Sequence, residues 1–432
     1  ADSDVIMHAV TDLGIDAQLV RNRDRLMVLP AGVTKGSGLL AAARELNVSI
    51  HNVVAIGDAE NDLSLLETAE LGVAVANAVP SVRQRADLVL DYPAAQGVVS
   101  LLDGHIVDGT EPFVPRRRSL CIGSFLDGTP VKIPAAQANV LIQGDSGAGK
   151  SHLAGLLIEQ WIRYGYSVLV LDVEGDYHGL TVLPNVVLLD GPRRPENQEL
   201  LGLLRQRSLS VIIDLSHVES GDRAAYLRQL SSVIDAERAA WGMPHWVVFD
   251  EAHVSLGVGG IMDGLVRPAD KGYLFVTYRP EELRSDAAAA MDVTLSIRRS
   301  PEGDSPTTRS ATIRLANGLD RPFVVSSRRT PHVRHWHKYL STPLPADQWF
   351  HFLDEGGTRI ASADTMATFL HCLRTVDSSV IGLHLSKGDF SRWLIGSLQD
   401  RQLAAIAAAI ERDVLAHRTL ELQRARARLP AR

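Results

Sequence analysis

Residues Gly144 to Ser151 read GDSGAGKS, a glycine, four spacers, then glycine, lysine and a hydroxyl residue. The apolar run NVLIQ at Asn139 to Gln143 precedes them, and LAGLLIEQWI at Leu153 to Ile162 follows. This octapeptide constrains the fold more than any other part of the chain. A strand must deliver the backbone into a glycine-rich turn and an apolar helix must leave it, so that successive N–H groups and a helix N-terminus face one point. The group that suits such a cradle is a nucleotide's phosphates. Gly144, Asp145, Ser146, Gly147, Ala148 and Gly149 form the expected loop; Lys150 is expected to reach the β and γ phosphates, and Ser151 to hold Mg²⁺.

A second element fits the first. WVVFDEAH, Trp246 to His253, is an apolar strand ending in Asp250 and Glu251. An acidic pair at a strand end is often an ordinary solvated turn. About a hundred residues after a phosphate loop, it has the place and chemistry needed for hydrolysis: Asp250 to hold the Mg²⁺ shell and Glu251 to polarise the attacking water.

At 432 residues the chain has room for two to four domains, and 45% hydrophobic content is enough for well-buried cores. No stretch approaches the ~18 uninterrupted apolar residues of a membrane span, and no secretory signal is evident, so a soluble cytoplasmic protein is expected. Cys121 and Cys372 lie far apart, which indicates neither a disulfide framework nor a cysteine zinc site. A net charge of −7 argues against a surface coated for nucleic acid, while leaving room for a local basic channel built by oligomerisation.

The chain divides by texture into residues 1–103, a linker at 104–118 with two prolines and an arginine run, a second block at 119–325 and a third at 326–432. The opening residues read as a polar helix followed by RLMVLP; thereafter helices alternate with the strands VVAIG, LGVAVA and LVL, the pattern of a parallel α/β sheet. The second block is again α/β, with near-continuous apolar runs suited to strands buried on both faces. The third has a His/Arg/Trp-rich entry and helix-period segments.

In the first block, IGDAENDLSLL with Asp58, Asn61 and Asp62, and Lys35 in GVTKGSG, resembles the last two motifs of the haloacid dehalogenase phosphatase superfamily, above all its Cof-type and sucrose-phosphatase-like members. The resemblance implies Mg²⁺ on Asp58 and Asp62, and a phosphorylated small molecule met by Lys35 and Asn61. The superfamily's aspartate nucleophile, in a DxDGT-like motif, does not precede Lys35. LDGT at Leu126 to Thr129 has Phe125 at the nucleophile's place and reads as a hairpin turn. Either the chain is a fragment or the domain is degenerate; a parallel sheet beginning midway would expose an apolar edge, which favours the fragment.

In the second block, LDVEGDYHG (Asp172, Glu174, Asp176) and VTYRPEEL (Val276 to Leu283), taken with the phosphate loop and DEAH, resemble HerA/FtsK-type ATPases. Tyr278 stands where that group often has a glutamine. The resemblance implies ATP and Mg²⁺ as cofactors and a ring, most often a hexamer, in which a neighbour's arginine completes the site; Arg279, Arg298 and Arg299 are candidates, though any single one is more commonly a solvated or salt-bridged arginine. In the third block, HVRHWHKY (His332 to Tyr339) lacks a fourth zinc ligand, and the terminal arginines read as a solvated or oligomer-contact face.

The expected architecture is therefore α/β: a partial haloacid dehalogenase-like parallel domain, a RecA-like phosphate-loop ATPase domain, and a small, mostly helical C-terminal module. The leading function is Mg²⁺-dependent ATP hydrolysis by a homo-oligomeric motor or remodelling enzyme, with nucleic acid or protein as its track. The alternatives are a phosphatase regulated by nucleotide and a nucleotide-gated scaffold.

Overall fold

The structure, a computed structural model, describes residues 2–104, 115, 117–145, 148–190, 196–216, 218–257, 270–297, 310–314, 318–331, 344, 346–398 and 401–416. It separates into two compact units, one of Ala1–Leu171 with Leu180–Thr330, the other of Asp172–Gly179 with Pro331–Arg432.

The first unit opens with helix α1 (Asp2–Asp12) and a hairpin of β1 (Ala17–Asn22) and β2 (Arg25–Pro30). Arg23, at φ 54°, turns the hairpin in the left-handed region. The sequence set RLMVLP apart without naming it a strand, and Ala17–Asn22 was not singled out. A three-stranded parallel sheet follows, β3 (Val54–Gly57), β4 (Leu71–Ala74) and β5 (Leu88–Val89). Helices α2 (Lys35–Glu45), α3 (Leu63–Thr68), α4 (Pro80–Arg85) and α5 (Ala94–Leu102) alternate with these strands. Thr34 and Ser37 form a reciprocal cap that fixes where α2 begins, which sets Lys35 in its first turn. Gly36 has no room for a side chain, since a Cβ would lie 2.4 Å from the Ser64 carbonyl oxygen of α3.

Beyond this small sheet the described residues build a sheet of eleven strands. It is edged by the antiparallel pair β6 (Ser119–Phe125) and β7 (Pro130–Pro134), turned at Leu126 to Thr129. The P-loop strand β8 (Val140–Gly144) lies at its centre and passes into α6 (Lys150–Arg163). The remaining strands are β9 (Val168–Asp172), β10 (Val186–Leu189), β11 (Ser210–Asp214), β12 (Trp246–Phe249), β13 (Tyr273–Thr277), β14 (Val293–Ile297), β15 (Ser310–Arg314) and β16 (Asp320–Val325). Their order is β10-β11-β9-β12-β13-β8-β14-β15-β16-β6-β7. From β9 through β12, β13 and β8 to β14 the strands are parallel, and every residue of β9, β12 and β13 is buried. Helices α7 (Asn197–Leu204) and α8 (Ser220–Trp241) contribute Leu200, Leu227 and Ile234 to the core on one face. Trp161 of α6 stacks on Trp246 at 3.7 Å, and both indole N–H groups donate to the Ala135 carbonyl. Asn139, fully buried, donates to the Asp270 and Ala290 carbonyls and accepts from Tyr273 N–H, pinning the starts of β8 and β13 to one level.

In the second unit, Asp172 accepts N–H donation from Glu174, Gly175, Asp176 and Tyr177, a carboxylate-centred turn. The C-terminal part is not helical throughout. Phe350–Leu353 and Arg359–Ala363 form a hairpin beneath helices Met366–Thr375, Ser378–Lys387, Asp389–Gly396 and Arg401–Ala416. Phe350, Phe352, Phe369, Phe390 and Trp393 make its aromatic core.

Candidate functional site

The sheet order decides which side chains meet. Strand β13 lies between β8 and β12, so three strand ends converge: the glycine loop after β8, Asp250 and Glu251 after β12, and Thr277, Tyr278 and Arg279 after β13. The loop needs glycine at both margins. Gly144 has φ 148°, where a Cβ would sit 1.9 Å from the Ile297 carbonyl oxygen, and Gly149, at φ 107°, caps α6 in the left-handed region. Ser146 and Gly147 lie outside the described residues; Asp145, Ala148 and Ser151 lie on the loop and the first turn of α6. Lys150 is buried, and its ammonium donates back across the loop to the Asp145 carbonyl at 3.0 Å. It also stands 5.6 Å from the centre of the Tyr278 ring.

Asp250 is 2% exposed and its N–H donates to the Leu171 carbonyl, holding it at the sheet edge. Glu251 takes φ 47° and ψ 53°, the left-handed region that a non-glycine residue occupies at a cost of about 1–3 kcal/mol. Such strain collects where geometry matters more than stability. His253, two residues on, has its Nδ1 3.4 Å from Glu251 Oε2 and 3.0 Å from Thr277 Oγ1. Thr277 Oγ1 in turn accepts the Arg279 N–H, and the His253 ring meets Tyr278 edge-on at 4.9 Å. Burial, with the Arg279 and Lys150 charges, holds the His253 imidazole below its ordinary range against the opposing pull of Glu281 and Glu282, so the ring is neutral near pH 7. His253 was not singled out from the sequence, where it appears only as the last letter of DEAH. Its role as a bridge depends on the neighbouring strand. Arg279 is exposed and paired with Glu282 at 2.8 Å; Arg298 and Arg299 lie outside the described residues, as do His332 to Tyr339 and the terminal arginines.

The donor set fits a nucleotide with its metal. A buried lysine at a helix N-terminus lies at the same sheet edge as two buried carboxylates, with Ser151 next to the lysine in sequence.

At the other candidate site, Lys35 Nζ is ion-paired with Asp62, whose Oδ2 also accepts the Asp58 and Ala59 N–H groups. Burial opposes ionisation of Asp62, but Lys35 and those two N–H donors outweigh it and hold the carboxyl below its usual range. Asp58 is paired with Arg23 of the hairpin turn at 2.5 Å, and Arg23 N–H donates to Glu60. Asn61 lies in the 3₁₀ turn Glu60–Asp62. Among the described residues no group of three or more His, Cys, Asp or Glu is gathered as for a metal. Arg23 occupies Asp58 Oδ2, so an ion there would share the carboxylate with Arg23 or displace it.

Two family descriptions match the chain: haloacid dehalogenase-like hydrolase over residues 11–102, and the central domain of the helicase HerA over residues 120–231. The chain joins a haloacid dehalogenase-like hydrolase domain to a HerA-type P-loop ATPase domain. Over 82 residues the hydrolase domain is 45% identical to phosphoglycolate phosphatase 2 of Saccharolobus solfataricus, covering 19% of this chain and 35% of that protein. Among solved structures, a haloacid dehalogenase-like hydrolase from B. subtilis is similar at 27% identity over 23% of this chain and 36% of its own, with a TM-score of 0.21. The genome packaging NTPase B204 of Sulfolobus turreted icosahedral virus 2 is similar at 12% identity over 44% of this chain and 98% of its own, with a TM-score of 0.32. The chain spans about a third of the length of the phosphatase named here. No helix among the described residues is long and apolar enough to cross a membrane.

The hydrolase and ATPase domains are fastened by the arginine run. Arg117 pairs with the fully buried Asp87 through Nη2 at 2.6 Å and Nε at 3.1 Å, and donates to the Glu67 carbonyl. Arg118 donates to the carbonyls of Thr68 and Ala69. A stretch that reads as a basic linker is thus a clamp on the end of α3. Farther along the seam, Glu70 accepts from the Tyr166 hydroxyl and from His51 Nδ1, both at 2.7 Å, while His51 Nε2 meets the Tyr164 carbonyl at 3.0 Å.

Proposed function

We propose that the ATPase domain binds and hydrolyses ATP with Mg²⁺. The observation that carries this is the meeting of Lys150 and its glycine loop with the buried pair Asp250 and Glu251 across one intervening strand. In this reading Lys150 leaves the Asp145 carbonyl to meet the β and γ phosphates, while Ser151 and Asp250 hold Mg²⁺, which supplies charge neutralisation to the triphosphate. Glu251, held in its strained conformation with His253 beside it, orients and polarises the attacking water. Lys150→Ala should abolish nucleotide binding or turnover; Glu251→Gln should retain ATP while losing on the order of 10²–10⁴-fold in kcat. Undiminished turnover in either variant removes this site from the mechanism.

We further propose that the working form is a closed oligomer, most naturally a hexamer, in which an arginine such as the exposed Arg279 completes a neighbour's site. A trans arginine contributes about three to five orders of magnitude in other phosphoryl-transfer systems. Its track, nucleic acid or protein, is a question for stimulation assays. A strictly monomeric mass for ATP-bound Glu251→Gln in light scattering, with turnover independent of protein concentration, rules the ring out.

A second reading rests on the hydrolase domain's similarity to phosphoglycolate phosphatases: Lys35, Asn61, Asp58 and Asp62 serve a phosphorylated small molecule, and the ATPase domain regulates them. These residues hold a phosphoryl group but do not attack it, and no aspartate nucleophile accompanies them in this sequence. The chain as given should therefore release no phosphate from sugar phosphates or phosphoglycolate, and release that survives Lys150→Ala would show a nucleophile elsewhere.

A further inference from the structure

The seam between the two domains contains a polar cavity of about 380 Å³, and its ATPase-side residues His245 and Tyr273 lie at the starts of β12 and β13, the opposite strand ends from Asp250 and Tyr278. His51 and Glu70 of the hydrolase domain line one side; Tyr166, Arg238, His245 and Lys271 of the ATPase domain line the other. Its hydrogen bonds do not balance. Glu70 already accepts from Tyr166 and His51 and lies 3.5 Å from Arg118 Nε, and Lys271 is paired with Asp292 at 2.8 Å. Two donors remain. Ser167 N–H donates to His245 Nδ1 at 2.8 Å, so that nitrogen is an acceptor and a neutral ring carries its proton on Nε2. Burial, reinforced by the His51 and Arg238 charges, pushes the His245 pKa down to about 3, so the ring is neutral at pH 7. His245 Nε2 is buried and has no hydrogen-bond partner among the described residues. Arg238 lies with its guanidinium carbon 4.5 Å from the centre of the Tyr273 ring and donates through Nη2 to the Lys271 carbonyl; its buried Nη1 likewise has no partner among the described residues, and no ion pair neutralises it there.

A buried N–H without an acceptor costs about 1–3 kcal/mol, and the His245 Nε2–H and the Arg238 Nη1 each leave one such donor. Water fills one such vacancy cheaply; a cationic fork beside a neutral N–H matches two oxygens of one anion. The carboxylates Asp235 and Asp270 also line the cavity and repel an anion, so it would be received on the side of Arg238 and His245. We propose that this cavity binds a small oxyanion, a carboxylate or orthophosphate group, received by His245 Nε2–H and the Arg238 guanidinium at the junction of the two domains. Its occupancy would then report to both, because the opposite wall is the His51 and Glu70 pair that holds them together.

Calorimetric titration of the full chain with sodium phosphate, and separately with sodium acetate, at constant ionic strength tests this. The Lys150→Ala background keeps phosphate from the P-loop and makes the outcome independent of whether the ATPase reading stands. His245→Asn retains an acceptor for Ser167 N–H and lacks the distal donor; Arg238→Met keeps an apolar stem over Tyr273 without the charge. Saturable binding of either anion, weakened at least tenfold in both variants, is the expected result; binding of both anions assigns a general oxyanion site, and binding of phosphate alone assigns a phosphate site. If His245→Asn does not fold, the Nε2–H resonance of ¹⁵N-labelled His245 in the parent protein replaces it and should shift along the same titration. No saturable binding, or equal affinity in the variants, or an unmoved Nε2–H resonance, overturns the proposal.

Discussion

Replacing Arg117 with alanine should loosen the hydrolase domain while leaving the P-loop intact. Asp87 has no exposed side-chain surface, and among the described residues its carboxylate is met, apart from Arg117, only by the Gly72 N–H at 2.9 Å. Breaking a buried pair from one side costs about 3–5 kcal/mol, because the remaining charge stays buried. Arg117 is itself about a quarter exposed, so water can reach the vacated place and the lower end applies, about 3 kcal/mol. At about 1.4 kcal/mol per decade, that lowers hydrogen-exchange protection of the β4 amides roughly a hundredfold. Local exchange is the appropriate assay, since a chain of several domains need not unfold in one step. Adding Asp87→Asn to Arg117→Ala removes the stranded charge and should restore at least a third of the loss. A change under threefold in the single variant, or no recovery in the double one, would refute the argument that the pair is a clamp.

Three other outcomes follow from the site and the seam. His253→Ala should lower kcat about tenfold, the loss of one hydrogen bond near the transition state, with KM little changed, and His253→Asn, whose amide nitrogen sits near the lost Nδ1, should recover part of it; equal defects in both variants would reduce His253 to packing. Tyr278→Gln removes the ring beside Lys150, and ATP affinity should change by more than threefold, read by nucleotide titration of the Glu251→Gln protein. Stability should fall as pH drops from about 6.5 toward 3, because the unfolded His245 ring takes up a proton there and the folded one, with its pKa about 3, does not; that limb should be absent from urea unfolding of His245→Asn, and its persistence would assign the acid sensitivity elsewhere.

Local patterns carried most of the architecture. Strands such as VLIQG and WVVF are apolar on both faces and end in glycine or acid, so their central, parallel places follow from composition alone. Elements closed by a distant partner were not legible. AQLVRN has no strict alternation, and it becomes a strand because Arg23 turns the chain back onto RLMVLP. FHFL sits in a stretch of helical texture, yet pairs with Arg359–Ala363 across a glycine turn and places Phe350 and Phe352 in the aromatic core. The arginine run fails in the same way: its partners are a carboxylate thirty residues upstream and carbonyls at the end of α3, and no spacing rule links them.

At the candidate ATPase site the division is sharper and has a physical cause. A phosphate loop is a local object: glycine at a positive φ, a lysine and a helix start fall within eight residues, so sequence specifies it almost completely. The acid pair is half local. Its carboxylates are named by the strand end, but the left-handed backbone of Glu251 and its neighbour His253 matter only because β13 inserts beside β12 and brings Thr277 within 3.0 Å of the imidazole. The same insertion puts Tyr278 against Lys150. A substitution read in sequence as a missing glutamine is, in the fold, an aromatic ring near both Lys150 and Arg279, whose guanidinium carbon lies 5.0 Å from the ring centre. Both cations lie within about 6 Å of the ring, the range in which an aromatic face attracts a cation by about 0.5–2 kcal/mol. In the proposed mechanism a triphosphate reaching Lys150 would compete with that attraction and so couple nucleotide binding to the position of the exposed Arg279.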